Sequence, residues 1–166
     1  MTAIILAAGY ATRLYPLTQT KAKPLLPVGG RPMIDYIVDH LREVPGLERI
    51  VVVSNDKFYQ AFEDWRATHP GVPIKIVNDG STNENIRLGA IRDTQFAIEK
   101  SGARGDVLVV GGDNLFDCDF KKFLATAAGR RASQMDWISA SRAPSASTRR
   151  TTAPIASGSR LSRAST

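Results

Sequence analysis

Residues 4–27 read IILAAGYATRLYPLTQTKAKPLLP, and this stretch decides how the rest of the chain is interpreted. It opens on an unbroken apolar run at residues 4–6, which is typical of a strand covered on both faces in a parallel sheet. Ala7, Ala8 and Gly9 follow, and their small side chains leave backbone N–H groups open to a close ligand. The pattern predicts a buried strand that ends at a ligand-binding loop.

Positive side chains dominate the second part of this stretch. Arg13 is a permanent cation whose planar guanidinium suits phosphate oxygens, and Lys21 and Lys23 add two compact positive charges. Together with the small residues before them, they indicate an anionic ligand such as a triphosphate. The alternative is an ordinary turn between a strand and a helix, in which the small residues only tighten the turn and the basic side chains are solvated.

Strand-like and helix-like segments alternate along residues 1–129. Three further β-rich runs follow the first strand, at residues 49–54, 74–77 and 106–110. Helical spacing of apolar residues separates them, over residues 32–44, near 58–65 and over 84–101. Such alternation predicts an α/β fold with a Rossmann-like, doubly wound and mainly parallel sheet. Ligands bind such sheets beyond the carboxyl ends of the strands, where we expect Ala8, Ser54, Asn78 and Gly112.

A carboxylate follows the last of these strands. Residues 111–116 read GGDNLF, and the two glycines leave space around Asp113. A hard Mg²⁺ ion prefers a few carboxylate oxygens completed by phosphate oxygens and water, so Asp113 is our candidate magnesium ligand. The alternative for a lone aspartate at this place is a turn or a helix cap. Asp117 and Asp119 fit that alternative better, as caps of a helix that starts near Phe120.

The same residues resemble a known enzyme family. Sugar-phosphate nucleotidyltransferases, such as glucose-1-phosphate thymidylyltransferases, open on a strand, then G-x-G-T-R, then a lysine before P-L-L-P. Here those positions are residues 9–13, GYATR, and residues 23–27, KPLLP, and the GGDN motif agrees as well. Ala11 departs from the family's second glycine. Ala11 and Leu14 also break the G-x-G-x-x-G dinucleotide fingerprint, which argues against a nicotinamide or flavin enzyme.

The resemblance implies a fold of the nucleotide-diphospho-sugar transferase type and a division of roles within it. A sugar 1-phosphate oxygen attacks the α-phosphate of a nucleoside triphosphate and displaces pyrophosphate in line, which requires orientation and charge neutralisation. By this resemblance Arg13 holds the leaving β- and γ-phosphates, and Lys23 neutralises charge at the α-phosphate or the sugar phosphate. Mg²⁺ on Asp113 bridges the two reactants. The implied nucleotide-binding residues are Leu6, Ala7, Ala8, Gly9, Thr12 and Gly112.

In the family, the segment between the third strand and the next helix contacts the base. Here residues 78–90 read NDGSTNENIRLGA. Asn side chains donate and accept hydrogen bonds at once, which suits the edge of a base, so Asn78, Asp79 and Asn85 are further nucleotide-binding candidates. The alternative is that these polar residues form only turns and N-caps.

The second half of the family pattern is missing from this sequence. Family members bind the sugar through a glutamate-lysine motif and complete the metal site with a second aspartate. In this sequence no Glu-Lys-Pro follows Asp113, and no acidic residue follows Asp136. The resemblance spans about residues 2–128, and we expect retained nucleotide binding with reduced transfer. Two alternatives stay open: a choline-phosphate cytidylyltransferase-like enzyme acting on a phosphocholine-like substrate, and a non-catalytic nucleotide-binding protein.

Charge and composition divide the chain near residue 129. Residues 1–129 are neutral overall, whereas residues 130–166 carry the whole formal net charge of +6. That segment consists mostly of Ala, Arg, Ser, Thr, Pro and Gly and has too little apolar surface to bury, so we expect a disordered tail after a folded domain over 1–129. It lacks aromatic platforms and amphipathic periodicity, which argues against nucleic-acid binding.

The tail has two further interpretations, a basic arm and a segment translated out of frame. We favour the second, because Arg-, Ala-, Ser- and Pro-rich text without lysine is typical of a GC-rich gene read in a wrong frame. Reading the coding DNA in its other two frames beyond Arg131 tests this explanation, and the absence of family-like sequence there would exclude it.

Few features bear on the cellular setting. Cys118 is the only cysteine, which excludes an intramolecular disulfide and favours a reducing cytoplasm, and we expect its side chain to pack in the interior. No stretch approaches the length of a membrane span, and no basic lead-in precedes the first apolar run as in a signal peptide. His40 and His69 lie near no other metal-binding side chain. We therefore expect a cytoplasmic protein without membrane contact, and oligomers stay open.

Overall fold

The structure, a computed structural model, describes residues 1–129, and the predicted tail lies outside the described residues. Residues Met1–Ala128 form one compact unit. The strands are β1 (Thr2–Leu6), β2 (Pro27–Val28), β3 (Arg31–Pro32), β4 (Arg49–Ser54), β5 (Ile74–Asn78) and β6 (Val107–Gly111). The helices are α1 (Met33–Arg42), α2 (Tyr59–Ala67), α3 (Ala90–Ser101) and α4 (Phe120–Gly129).

Four of the strands form one parallel sheet in the order β5-β4-β1-β6. β1 lies in its interior and pairs with both β4 and β6, so that Leu6, its last residue, lies opposite Val53 on one side and Gly111 on the other. The carboxyl ends of parallel strands share one edge of a sheet, which is where ligands bind in folds of this kind. β2 and β3 form a separate short antiparallel hairpin that the sequence analysis did not predict.

Helices cover both faces of the parallel sheet, which confirms the predicted doubly wound α/β fold. On one face Ile5 of β1 belongs to a core that includes buried residues of α1 and α2. On the other face Ile4 and Val51 pack with Ala97 of α3. Successive side chains of a strand point to opposite faces, so the unbroken apolar runs reflect burial on both sides.

Helix α1 shows how the larger core is filled. Ile34, Ile37, Val38 and Leu41 recur at helical spacing, and none is more than 1% exposed. Burying each such side chain contributes about 1.5–3 kcal/mol relative to leaving it in water. Pro32 occupies the N-cap of this helix, where its missing N–H removes no intrahelical hydrogen bond.

The segment after β5 is less helical than the sequence predicts. Residues Glu84–Ile86 form a separate 3-10 turn, and α3 begins only at Ala90. Gly89 has φ 82° and ψ 162°, a conformation that no right-handed helix accommodates and that glycine adopts without steric cost. The apolar spacing alone did not reveal this break.

Two smaller expectations have opposite outcomes. Asp119 caps α4 as predicted, because its Oδ1 accepts a hydrogen bond from the backbone N–H of Lys121 at 2.8 Å. Cys118 was expected to pack in the interior, and that prediction is wrong, since its side chain is exposed in the turn before α4. Within residues 1–129, no helix is long and apolar enough to span a membrane.

Gly112 lies where β1 and β6 end, and its backbone N–H donates to the carbonyl of Leu6 at 2.8 Å. A Cβ atom at this position would lie 2.9 Å from that carbonyl oxygen and 3.1 Å from Cγ2 of Ile5. Both neighbours belong to the central strand. We therefore expect Gly112→Ala to lower the free energy of unfolding by about 1–3 kcal/mol, as measured by chemical denaturation. Gly9→Ala is the matched control, because a Cβ there meets nothing within 4 Å; equal losses in the two variants would contradict the steric argument.

Candidate functional site

The end of β1 is anchored by a buried side chain from the neighbouring strand. Asn55 directly follows β4 and is fully buried. Its Nδ2 donates to the carbonyl of Ala8 at 2.9 Å, and its Oδ1 accepts from the backbone N–H of Phe58 at 3.0 Å. Because both polar atoms of the amide are satisfied, its burial carries no unpaired polar group. Asn55 thus ties the loop after β1 to the turn after β4.

Two further hydrogen bonds hold the glycine-containing turn after β1. The buried hydroxyl of Thr18 donates to the carbonyl of Ala11 at 2.8 Å. The hydroxyl of Tyr10 donates to the carbonyl of Ser81 at 2.7 Å, and burial raises the pKa of Tyr10, so the phenol stays protonated at neutral pH. The second bond connects the turn after β1 with the segment after β5.

Ala11 holds a backbone conformation that favours glycine. Its φ of 48° and ψ of 43° lie in the left-handed region. This conformation costs an L-residue roughly 1–2 kcal/mol, whereas glycine adopts it freely. The position is the one at which the resembled family carries its second glycine, so the geometry supplies a physical reason for that preference. The hydrogen bond from Thr18 helps to hold the alanine in place.

Lys23 and Asp113, the predicted cation and the predicted metal ligand, form an ion pair. Nζ of Lys23 lies 2.9 Å from Oδ2 of Asp113, although 90 positions separate them along the chain. Lys23 opens a 3-10 turn after the β1 loop, and Asp113 follows β6. Their side chains are 30% and 49% exposed, so water screens the pair and a ligand can reach both groups. The adjacency of β1 and β6 accounts for this meeting.

A cavity of about 520 Å³ opens beside this ion pair, a volume within the range of small-molecule sites. The predicted residues that line it are Leu6, Ala7, Gly9, Thr12, Arg13, Lys23 and Asp113. The lining also includes residues that the sequence analysis did not select, namely Tyr10, Ala11, Leu14, Pro24, Glu84 and Arg87. The predicted residues outside this lining are Ala8, Asn78, Asp79, Asn85 and Gly112.

The residues outside the lining have other contacts. Ala8 and Gly112 are buried at the ends of β1 and β6 and support the loops through their backbones. Nδ2 of Asn78 donates to Oδ1 of Asp56 at 2.8 Å, and its Oδ1 accepts from the backbone N–H of Gly80 at 2.9 Å. Asn85 is exposed. A role of these residues in nucleotide binding therefore stays a prediction.

Asp79, which is partly buried, forms a pair of carboxyl groups with the buried Asp93. Its Oδ1 accepts hydrogen bonds from the backbone N–H and the hydroxyl of Ser81, each at 2.7 Å. Oδ2 of Asp79 and Oδ1 of Asp93 are buried, and neither has a hydrogen-bond partner among the described residues. Burial, together with the adjacent Asp79, raises the pKa of Asp93 to about 6. The proton that Asp93 binds below about pH 6 can bridge the two carboxyls and give both of these oxygens a partner.

Sequence reasoning missed two kinds of residue at this site. Asn55 and Thr18 support the loop without lining the cavity. For Asn55 a signal was available, because a polar residue directly after a buried strand lies at the ligand-binding edge. Glu84 and Arg87 line the cavity from the segment after β5, in which only the amide and aspartate side chains were predicted to bind the nucleotide. Their opposite charges three positions apart were the signal.

The donor set of the cavity fits a divalent cation bound together with phosphates. Among residues 1–129 no group of three or more His, Cys, Asp or Glu side chains could hold a metal ion. Mg²⁺ does not need such a cage, because it is usually held by one or two carboxylates plus substrate phosphates and water. Asp113 presents one reachable carboxylate on the wall of the same cavity as Arg13 and Lys23.

Comparison with known proteins agrees with this geometry. A model of the family described as nucleotidyl transferase matches residues 2–147. The chain belongs to the nucleotidyl transferase family. The match reaches beyond residue 128, where the resemblance was expected to end, so the family-like sequence extends further than the motifs alone indicate.

This nucleotidyl transferase chain covers only part of its relatives. It is 31% identical over 130 residues to the bifunctional protein GlmU of Methanococcus vannielii, matching 75% of this chain and 27% of the relative. It is 29% identical over 148 residues to a UTP–glucose-1-phosphate uridylyltransferase of Haloferax volcanii, matching 86% of this chain and 58% of the relative. In both cases the chain spans less than two thirds of the relative's length.

A solved structure shows the same fold. UDP-glucose pyrophosphorylase complexed with UDP-glucose superposes with a TM-score of 0.63 at 20% identity, covering 78% of this chain and 54% of that one. This similarity concerns the fold alone. It agrees with the parallel sheet and the flanking helices described above.

The carboxyl pair of Asp79 and Asp93 predicts how stability depends on pH. The folded-state pKa of Asp93, about 6, lies above its ordinary value of 3.8, so the folded state binds more protons between these values. The contribution of Asp93 to the free energy of unfolding is therefore fully present below about pH 4 and is lost as pH rises through 6. Asp93→Asn removes the charge and supplies an amide donor to Asp79. We expect this variant to raise the free energy of unfolding at pH 8 by about 1–2 kcal/mol, within the limit of about 3 kcal/mol set by the pKa shift.

Denaturation at pH 4, 6 and 8 measures this difference. The gain of Asp93→Asn over the wild type should shrink toward pH 4, because Asp93 is then protonated in the folded state and begins to be protonated in the unfolded state. Asp106→Asn, at an exposed position, is the control and should show no such trend. A gain of Asp93→Asn that is independent of pH would contradict the assignment of the raised pKa.

Proposed function

We propose that this chain binds a nucleoside triphosphate with Mg²⁺ and transfers the nucleotidyl group to a sugar 1-phosphate, releasing pyrophosphate. The observation that carries the proposal is the 2.9 Å contact between Lys23 and Asp113 at the adjoining ends of β1 and β6. This contact brings a phosphate-binding cation and a candidate metal ligand to one cavity, which Arg13 also lines.

The residues of the cavity have separate roles in an in-line displacement. Arg13 holds the β- and γ-phosphates through its planar fork of donors. Lys23 neutralises charge on the α-phosphate as the new bond from the sugar-phosphate oxygen forms and the bond to the β-phosphate breaks. The electron pair of the broken bond leaves with pyrophosphate, and no proton transfer is required because the attacking oxygen is already anionic.

Asp113 is the residue that would hold the metal ion. Bound there, Mg²⁺ supplies further neutralisation of phosphate charge and a common anchor for both substrates. Gly9 offers an open approach to the backbone of the loop, since no atom lies within 4 Å of where a Cβ would be. Catalysis then relies mainly on the positioning of the substrates and on the stabilisation of negative charge. The loop after β1, which its hydrogen bonds hold in place, supplies both.

The kind of acceptor is proposed from the relatives. The Haloferax volcanii relative is named for transfer to glucose 1-phosphate. This name favours a sugar 1-phosphate over a phosphocholine-like acceptor for this chain. We also propose a cytoplasmic setting, because a lone exposed thiol at Cys118 suits a reducing compartment.

Transfer is tested by pyrophosphate release with the common nucleoside triphosphates, Mg²⁺, and a panel of acceptors that comprises several sugar 1-phosphates and phosphocholine. We expect release to depend on a sugar 1-phosphate. Lys23→Ala and Asp113→Asn should each lower the rate by about 10²–10³-fold, the usual cost of removing a group that stabilises charge in the transition state. Their matched controls are Lys21→Ala and Asp117→Asn, at exposed positions outside the cavity lining. Wild-type rates in Lys23→Ala, or phosphocholine as the sole acceptor, would refute the proposal.

Nucleotide binding is a separate readout that does not need turnover. A thermal shift with triphosphate and Mg²⁺ should stabilise the wild type, by about 2.7 kcal/mol at a ligand concentration of 100 times Kd. Arg13→Ala should weaken the response to the triphosphate most and leave the unliganded stability unchanged, since Arg13 is exposed. A triphosphate response equal to that of the wild type would remove the role assigned to Arg13.

A further inference from the structure

We propose that Arg87 is a second polyphosphate-binding arginine and makes the cavity select nucleoside triphosphates over monophosphates. This inference rests on the proposed function and deepens it. Arg87 lines the same cavity as Arg13 but comes from a different part of the chain, the segment between β5 and α3. Two guanidinium groups from separate segments therefore face one ligand space.

The present partner of Arg87 is weakly held. Nη1 of Arg87 lies 3.6 Å from Oε1 of Glu84, and the two side chains are 56% and 40% exposed. Water screens an exposed ion pair at this separation, so the pair contributes little to the stability of the fold. A phosphate oxygen, by contrast, accepts short charge-assisted hydrogen bonds from a planar guanidinium, often two at once. Arg87 can therefore exchange Glu84 for a phosphate at small cost.

The charge balance of the cavity favours such an exchange. Its lining holds three cations, Arg13, Lys23 and Arg87, and two carboxylates, Glu84 and Asp113. Each carboxylate is paired with a cation, Asp113 with Lys23 and Glu84 with Arg87. A triphosphate adds several negative charges, and Arg13 by itself cannot neutralise them. Lys23 is assigned to the α-phosphate, which leaves Arg87 to share the β- and γ-phosphates with Arg13.

The segment that carries Arg87 is fixed rather than loose. The carbonyl of Ser81 accepts from the hydroxyl of Tyr10 at 2.7 Å and from the backbone N–H of Asp56 at 3.0 Å. The side chain of Asn83 then caps the 3-10 turn Glu84–Ile86. The backbone of Arg87 is thus positioned before a ligand arrives, which reduces the entropic cost of the contact.

The test measures Kd for nucleoside triphosphate and nucleoside monophosphate, each with Mg²⁺, in the wild type and three single variants of the full chain. Arg87→Ala should weaken triphosphate binding by about 10- to 100-fold, the cost of losing charge-assisted hydrogen bonds, and leave monophosphate binding nearly unchanged. Glu84→Gln should tighten triphosphate binding about two- to threefold, because it removes the competing carboxylate. Arg92→Ala is the control, at an exposed position of α3 outside the cavity lining, and should match the wild type.

The opposite signs expected for Arg87→Ala and Glu84→Gln separate ligand binding from a structural role. If the pair only stabilised its segment, both variants would weaken binding, and that result overturns the inference. Equal losses for triphosphate and monophosphate in Arg87→Ala overturn it as well. If the wild type binds triphosphate and Arg87→Ala binds it equally well, the inference about Arg87 is refuted and the proposed function is not. A wild type that binds no triphosphate refutes the proposed function together with it.

Discussion

The pairing of β1 between β4 and β6 is the constraint on which the site depends. Register places Leu6 opposite Gly111, and the chain continues the pairing for one more bond, from the backbone N–H of Gly112 to the carbonyl of Leu6 at 2.8 Å. A residue with a side chain at position 112 has no room there. Because the two strands end side by side, the loop that follows β1 and the carboxylate that follows β6 lie next to each other. The Lys23–Asp113 ion pair is a consequence of sheet topology rather than of local sequence.

Electrostatics in the cavity follow from this assembly. Each carboxylate of the lining neutralises a cation, so the site avoids the repulsion that several uncompensated positive charges would cause. The pairs are partly exposed, so breaking them costs little compared with breaking a buried ion pair. An anionic ligand can then take over the cations, and the carboxylate of Asp113 becomes free for a divalent cation. The arrangement therefore suits a site that exchanges partners on binding.

Much of the fold and the centre of the site followed from the sequence, for identifiable reasons. Apolar runs such as residues 49–54 fix strands that are buried on both faces, and small and charged residues at their carboxyl ends mark the ligand edge. The structure places four residues that this reasoning selected, Gly9, Arg13, Lys23 and Asp113, on the wall of one cavity. It could not place the side chains between Asn78 and Gly89, because the direction of each polar group there depends on hydrogen bonds to residues distant in sequence. Asp79 turns toward Asp93 rather than toward the cavity for this reason.

The loop combines strain with buried polar contacts, and the two are connected. The left-handed conformation of Ala11 is unfavourable by itself, but its carbonyl accepts a hydrogen bond from the buried hydroxyl of Thr18. The preceding residue, Tyr10, is held by the hydrogen bond from its own hydroxyl to the carbonyl of Ser81. Fixing the turn in this way keeps its backbone ready for phosphate oxygens and spares the ordering cost at binding. Asp79 acts at the far end of the same connection, since its Oδ1 accepts two hydrogen bonds from Ser81. Through these two bonds the Asp79 carboxyl orders the segment that meets the turn.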